Sequence, residues 1–404
     1  MRTRALVSAA ALAVVIAWLR LAPVPVLGQG AAGKAGGKSA EPTPRTPWGD
    51  PDLQGIWTDE YQTPLQRPAK FAGKEYLTDE EVAALDKQRA LLPGREYRDR
   101  DSQGRGTEQD VAGAYNAVFV SVRKSSHRTS LIVDPSDGRI PAYTPDAQKR
   151  MGDFREFQLA LLQATQTCKN QAPSCRGGKY GPPSPRRAER SPTYNVDRLN
   201  RADGPEDRSM AERCMGAALP DFGGYRRIAQ AAGAVSIFYD VGQGQGWQRS
   251  VPITGAPHLP ASVRQWWGDS RGRWEGSTLV VDVTNFSRKS DFRGSREGLH
   301  LVERWTPIGR DTIEYSVTIE DPATWTKPWT VKQEMKRQSD RDNRIYSEPR
   351  CHEGNYGMTG MLTNTRAEER VFADRRGPDP ATRDIALAGA GGGEENTDPL
   401  GGGQ

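Results

Sequence analysis

Few residues in this chain are suited to chemistry, and they are scattered. It has four histidines, His127, His258, His300 and His352. Histidine changes charge near neutral pH and can act as acid, base or metal ligand. His352 and Glu353 follow Cys351 and precede a Gly354-Asn355-Tyr356 turn. A crosslinked Cys351 would fix their backbone, which makes His352 and Glu353 the candidate catalytic pair. No nucleophile or ligand spacing accompanies them, so a histidine that merely orders a loop is the plainer reading.

Candidate ligand-binding residues come from two other stretches. His300, Val302 and Arg304 share one face of an alternating segment, opposite Leu299, Leu301, Glu303 and Trp305. Should that face line a barrel, Arg304 would meet a carboxylate or phosphate. By default alternation turns such a polar face to solvent. Arg264-Gln265-Trp266-Trp267-Gly268-Asp269 joins rigid aromatic surface to charge. An apolar pocket with a few polar anchors has that composition. Core packing with Asp269 paired to Arg271 or Arg273 explains it equally well. His300, Arg304, Arg264, Trp266 and Asp269 are therefore the ligand-binding candidates. The glycines of Gly242-Gln243-Gly244-Gln245-Gly246 lack the strand–turn–helix context and lysine of a phosphate loop. Ser270 sits in no nucleophile elbow. No metal or cofactor is expected.

Four cysteines, Cys168, Cys175, Cys214 and Cys351, allow three pairings. Cys168 and Cys175 flank a short loop containing Pro173 and are paired here, leaving Cys214 with Cys351. A metal site would need two close cysteine pairs, and these are absent.

The elements that must position these residues are mostly strands. Leu279–Thr284, Leu299–Trp305, Ile313–Glu320 and Trp329–Lys336 alternate apolar and polar residues at period two, with short turns such as Gly309-Arg310-Asp311. Four such segments without intervening helices predict an antiparallel meander with one buried face. Ser130–Asp134 and Ala234–Tyr239 predict further strands. The expected fold is mostly β, a barrel or strongly curved sheet with a few peripheral helices, since closure removes exposed edges. Thr78 and Glu81 form a capping box that starts a helix over 79–92. Thr144-Pro145 starts another, over 145–166. Ser209–Cys214 suggests a short helical turn.

Arg2 and Arg4, the apolar run Ala5–Trp18 and the small residues Val26 and Gly28 read as a signal peptide, residues 1–28. Removing Arg2, Arg4 and Arg20 with it brings the formal charge of +5 to +2. The remaining basic residues are interleaved with acids, which argues against a nucleic-acid partner. No later segment is apolar enough to span a membrane. Residues 29–47 and 373–404 are Gly-rich or Pro-rich and are expected to be disordered. A single domain over 48–372 lies between them, with a loop insertion near 168–208.

Gly49-Asp50-Pro51-Asp52-Leu53-Gln54-Gly55-Ile56-Trp57 resembles the opening of a large family of uncharacterised secreted bacterial proteins. So do Arg128–Pro135, Glu212-Arg213-Cys214, Gly268–Gly276 and Cys351–Tyr356. The resemblance covers residues 47–370. It implies an exported domain, supports pairing Cys214 with Cys351, and implies no particular activity. Members often carry a His-Glu-x-x-His-like strand; the matching stretch here, Phe238–Gly244, has no histidine. Gly55-Ile56-Trp57 also resembles the Gly-x-Trp opening of lipocalins, where the tryptophan plugs one end of a barrel. Together these features imply an exported, periplasmic or extracellular protein that binds a small organic molecule in a barrel-like pocket. The rival readings are a cofactor-independent hydrolase or isomerase using His352 and Glu353, and a structural or interaction module of the cell envelope.

Overall fold

A computed structural model describes residues 44–59, 61, 63–90, 124–194, 199–210, 212–223, 225–242, 245–339 and 356–385. The proposed signal peptide, Cys351, His352 and Glu353 lie outside the described residues. The strands are β1 (Gly55–Thr58), β2 (Ile132–Asp134), β3 (Tyr225–Ala231), β4 (Ala234–Gly242), β5 (Gln245–Pro252), β6 (Asp269–Glu275), β7 (Thr278–Thr284), β8 (His300–Gly309), β9 (Thr312–Glu320) and β10 (Trp329–Arg337). The helices are α1 (Asp79–Ala90), α2 (Pro145–Leu162), α3 (Gln166–Lys169) and α4 (Tyr356–Ala373).

Nine strands form one curved wall in the order β5-β4-β3-β1-β10-β9-β8-β7-β6, with β2 pairing beside β1 on β10. Every neighbouring pair along that path runs antiparallel. An odd count then brings the two outer strands, β5 and β6, together in the same direction. They meet in a parallel bridge between Ile253 and Gly272, where the Thr254 amide donates to the Gly272 carbonyl at 3.3 Å. Gly272 permits this approach: a Cβ there would stand 2.5 Å from Ile253 Cδ1 and 2.9 Å from Val251 Cγ1. The result is a nearly closed barrel with peripheral helices, the architecture that the alternating segments predict.

Alternation decides which side chains fill the barrel. Along β9, Ile313, Tyr315, Val317 and Ile319 are buried, and the residues between them are not. Leu279, Val281 and Val283 from β7, Leu301 and Trp305 from β8, and Trp329, Val331 and Met335 from β10 join them, with Trp57 from β1. Burying each large apolar side chain contributes roughly 1.5–3 kcal/mol, which makes this cluster the main source of stability.

Both expected helix starts are present. Thr78 Oγ1 accepts from the Glu81 amide at 3.3 Å, and the Glu81 carboxylate accepts from the Thr78 amide at 2.8 Å. Thr144 Oγ1 accepts from the Ala147 amide at 3.2 Å ahead of α2. Around Ser209 the same reciprocal contact with Glu212 forms, yet only a turn follows. The 168–208 stretch holds the Cys168–Cys175 disulfide, with Cα atoms 5.1 Å apart, and short helical turns packed under α2. Among the described residues no helix is long and apolar enough to cross a membrane.

Contacts of the domain also involve residues outside the expected 48–372 span. Thr46, ahead of the expected start at 48, is buried, and its amide donates to the Asp50 carbonyl at 2.9 Å. Described residues past the expected end at 372 also make contacts. Asn200 Nδ2 donates to the Arg383 carbonyl at 3.0 Å and its Oδ1 accepts from the Ile385 amide at 2.7 Å, pinning the segment after α4. Side chains of the segment add to this: the Asp384 carboxylate accepts from the Thr167 amide at 3.2 Å, and Ala381 is buried.

Candidate functional site

Strand pleat settles where the sequence candidates go. On β8, Leu301, Glu303 and Trp305 point into the barrel, so His300 and Arg304 face outward. Arg304 pairs with Glu275 at 2.8 Å on the exposed surface. Arg264 is exposed and donates to the Glu297 carbonyl at 2.9 Å. Trp266 is half-buried. Its neighbour Trp267 is the one that stacks in the core, 4.4 Å from Trp247. His300 and Asp269 are brought together indirectly. His258 bridges Asp269 and Asp282, each at 2.9 Å, and His300 Nε2 lies 3.3 Å from the same Asp282 oxygen. This chain of imidazoles and carboxylates lies on the outer face of β6, β7 and β8. Among the described residues no group of three His, Cys, Asp or Glu side chains is arranged to hold a metal.

Arg226 on β3 and Arg249 on β5 both point into the barrel, and Arg249 makes the polar crossing. Its Nη2 lies 2.6 Å from Glu303 Oε2, both side chains being essentially buried. Its Nε donates to Ser270 Oγ at 2.9 Å and its Nη1 to the Tyr239 hydroxyl at 3.2 Å. The Tyr315 hydroxyl donates to Glu303 at 2.8 Å. A polar chain from Tyr239 to Tyr315 thus crosses the barrel. Burial disfavours the Arg249 charge, but the adjacent Glu303 carboxylate more than offsets this and holds the guanidinium protonated above its usual range. Burial, with a smaller push from Glu303, raises the Tyr239 hydroxyl to about 12 despite the opposing pull of Arg249. Burial and then Glu303 raise Tyr315 well above its ordinary value.

A pH dependence follows. An unfolded tyrosine loses its proton near pH 10, while folded Tyr239 keeps it to about 12. The unfolded state therefore binds fewer protons across that window. Stability is intact below pH 10 and falls as pH rises toward 12, by about 2–3 kcal/mol for Tyr239 alone. Urea unfolding midpoints at about pH 9 and about pH 11.5 should show this loss, and Tyr239→Phe should remove its share. An unchanged wild-type midpoint would refute it.

A cleft lies outside the barrel wall. It offers about 340 Å³, open to solvent on one side, between α2 and the Asp291–Arg296 turn. Ala147, Arg150, Met151, Phe154, Arg155 and Gln158 line one side, at helical spacing along a single face of α2. Both walls hang from the same aromatic cluster. Tyr143, just before α2, packs on Trp325 at 6.4 Å, and Phe292 lies 6.4 Å from Trp325 and 6.1 Å from Trp329. The turn is tight: the Phe292 and Ser295 amides donate to each other's carbonyls at 2.8 and 3.0 Å. Arg293 and Gly294 at its tip have φ of +54° and +86°. Positive φ at both central residues is the type I′ arrangement, which favours Asn-Gly. Arginine there is disfavoured by about 1–2 kcal/mol.

Arg296 is held by Asp291 at 3.0 Å and donates to Thr193 at 2.6 Å. Arg293 has no hydrogen-bond or ion-pair partner among the described residues. Strained backbone carrying an uncommitted charge points to function.

No family model matches the chain, and no curated protein sequence matches it. Solved structures resemble part of it, among them the following two. A secretory abundant heat soluble protein from Ramazzottius varieornatus is 12% identical, with a TM-score of 0.21 over 30% of this chain and 77% of that one. Secretory abundant heat soluble protein 4 from the same organism is 13% identical, with a TM-score of 0.19 over 28% of this chain and 69% of that one. Likeness at this level carries no argument about function.

Sequence reasoning missed both Arg249 and Arg293. Glu303 inside an otherwise apolar alternating face was a visible signal for a buried cation. Phe292-Arg293-Gly294-Ser295 was a visible two-residue turn, but nothing in the sequence alone places it against α2.

Proposed function

We propose that this chain is an exported protein that binds a small organic molecule in the cavity between α2 and the Asp291–Arg296 turn. The observation that carries this reading is the cavity's mixed lining. Ala147, Met151 and Phe154 offer apolar surface, and Arg293 offers an uncommitted guanidinium on a strained turn. Small-molecule sites combine a mostly apolar surface with a few polar anchors, and 340 Å³ lies at the lower end of their usual volume. The barrel interior is a poorer candidate, since Trp57, Trp305 and Trp329 fill it and the Arg249–Glu303 pair crosses it. Export is supported by the N-terminal pattern and by the Cys168–Cys175 disulfide, which suits an oxidising compartment.

Native mass spectrometry of the full chain, purified from the periplasm or medium, tests the reading. A bound small molecule is expected, absent from Met151→Trp, which fills the cavity from its exposed side. A bound species that persists in folded Met151→Trp would place the site elsewhere. Finding no bound species in the wild type would defeat the reading.

A further inference from the structure

We infer that the ligand of this cavity is a compact monocarboxylate with an apolar body; this rests on the binding role proposed above. The cavity carries four guanidiniums, Arg150, Arg155, Arg293 and Arg296, against one carboxylate, Asp291. That balance repels cations and attracts anions.

Short-range chemistry narrows the class. Arg150 donates to the Ala323 carbonyl, Arg155 to the Ser174 and Arg176 carbonyls, and Arg296 to Asp291 and Thr193. Only Arg293 keeps its whole fork of donors for a ligand. One planar fork matches one carboxylate with two parallel hydrogen bonds. A phosphate or sulfate would call on several donors around a tetrahedron, and Asp291 faces the same space. Apolar contact from Ala147, Met151 and Phe154 then requires a hydrophobic body on the carboxylate.

The backbone supports this assignment independently of charge. The Asp291 carboxylate accepts from the Gly294 amide at 2.9 Å, which fixes the turn without help from Arg293. Arginine at a left-handed position therefore contributes nothing to the turn that asparagine would not supply better. Its presence is explained by what its guanidinium meets.

The test uses an isosteric charged and neutral pair, cyclohexanecarboxylate and cyclohexanecarboxamide, titrated calorimetrically against the full chain. The carboxylate is expected to bind about ten- to a hundredfold more tightly, the range for a charge-assisted hydrogen-bonded pair. Arg293→Asn should abolish that preference and raise the melting temperature, because asparagine suits the turn. Arg293→Lys should keep only part of it. A purely structural Arg293 would instead lose stability on substitution and leave the preference intact.

Equal affinity for the two probes, binding of neither, tighter binding of inorganic phosphate or sulfate, or a preference that survives Arg293→Asn would overturn the inference. Met151→Trp separates the two levels. If it blocks both probes while they bind equally, the cavity stands and only the carboxylate class falls. If both probes still bind to it, the cavity itself is wrong.

Discussion

Arg249→Met is expected to destabilise the protein by about 3–5 kcal/mol, the cost of stranding a buried charge. Glu303 is fully buried, and Arg249 lies 2.6 Å from its carboxylate. Methionine roughly preserves the volume of the arginine stem but supplies no donor to Glu303, Ser270 or Tyr239. The double variant Arg249→Met, Glu303→Leu removes both charges and should recover most of the loss, because the desolvation cost disappears with the attraction. Urea unfolding of the two variants beside the wild type measures this. A single variant within about 1 kcal/mol of wild type would mean that the pair is solvated and not a buried crossing of the barrel.

Trp247→Ala comes next, at about 3–5 kcal/mol for deletion of a large buried aromatic. Trp247 is the third layer of a four-layer stack. The Arg226 guanidinium lies 4.6 Å from the Tyr239 ring centre, Tyr239 is 4.2 Å from Trp247 at an interplanar angle of 6°, and Trp267 follows at 4.4 Å and 16°. Gly216 closes on Trp247 so tightly that a Cβ there would lie 2.3 Å from the indole. Neighbouring side chains cannot readily collapse into the gap, so the full cavity cost should appear. Trp267 also anchors the loop between β5 and β6, through its indole N–H to the Ala217 carbonyl at 3.0 Å. The variant should therefore show both a lower unfolding midpoint and faster proteolytic cleavage within residues 253–268. A lower midpoint without faster cleavage would separate the stack from the loop.

Much of the barrel was legible because burial on one face imposes period two. Thr278–Thr284, His300–Gly309, Thr312–Glu320 and Trp329–Arg337 all appear where the alternation places them. Strands β3 and β5 were not legible, and the cause is specific. Their inward positions include Arg226 and Arg249, so the apolar period breaks where the barrel carries its polar interior. Helix α4 was also missed, because Gly357, Thr359, Gly360 and the Thr363-Asn364-Thr365 run have weak helical preference. Of the candidate site residues, Asp269 and His300 do lie in one cluster, but the link between them, His258 and Asp282, comes from a loop and a neighbouring strand. The α2 cavity depends on two segments more than a hundred residues apart meeting on one aromatic cluster, and single-segment patterns carry no such information.

The odd strand count has one more consequence. A cylinder of nine staves must have one joint where two staves run the same way, and here a glycine sits on that joint. Parting the wall between β5 and β6 breaks one slanted bridge, the Arg249–Ser270 contact and the buried Arg249–Glu303 pair, while the flanking β4–β5 and β6–β7 ladders hold many more paired backbone positions. Closure at that joint therefore rests less on backbone pairing than on the side chains buried across it, Arg249 and Glu303 foremost.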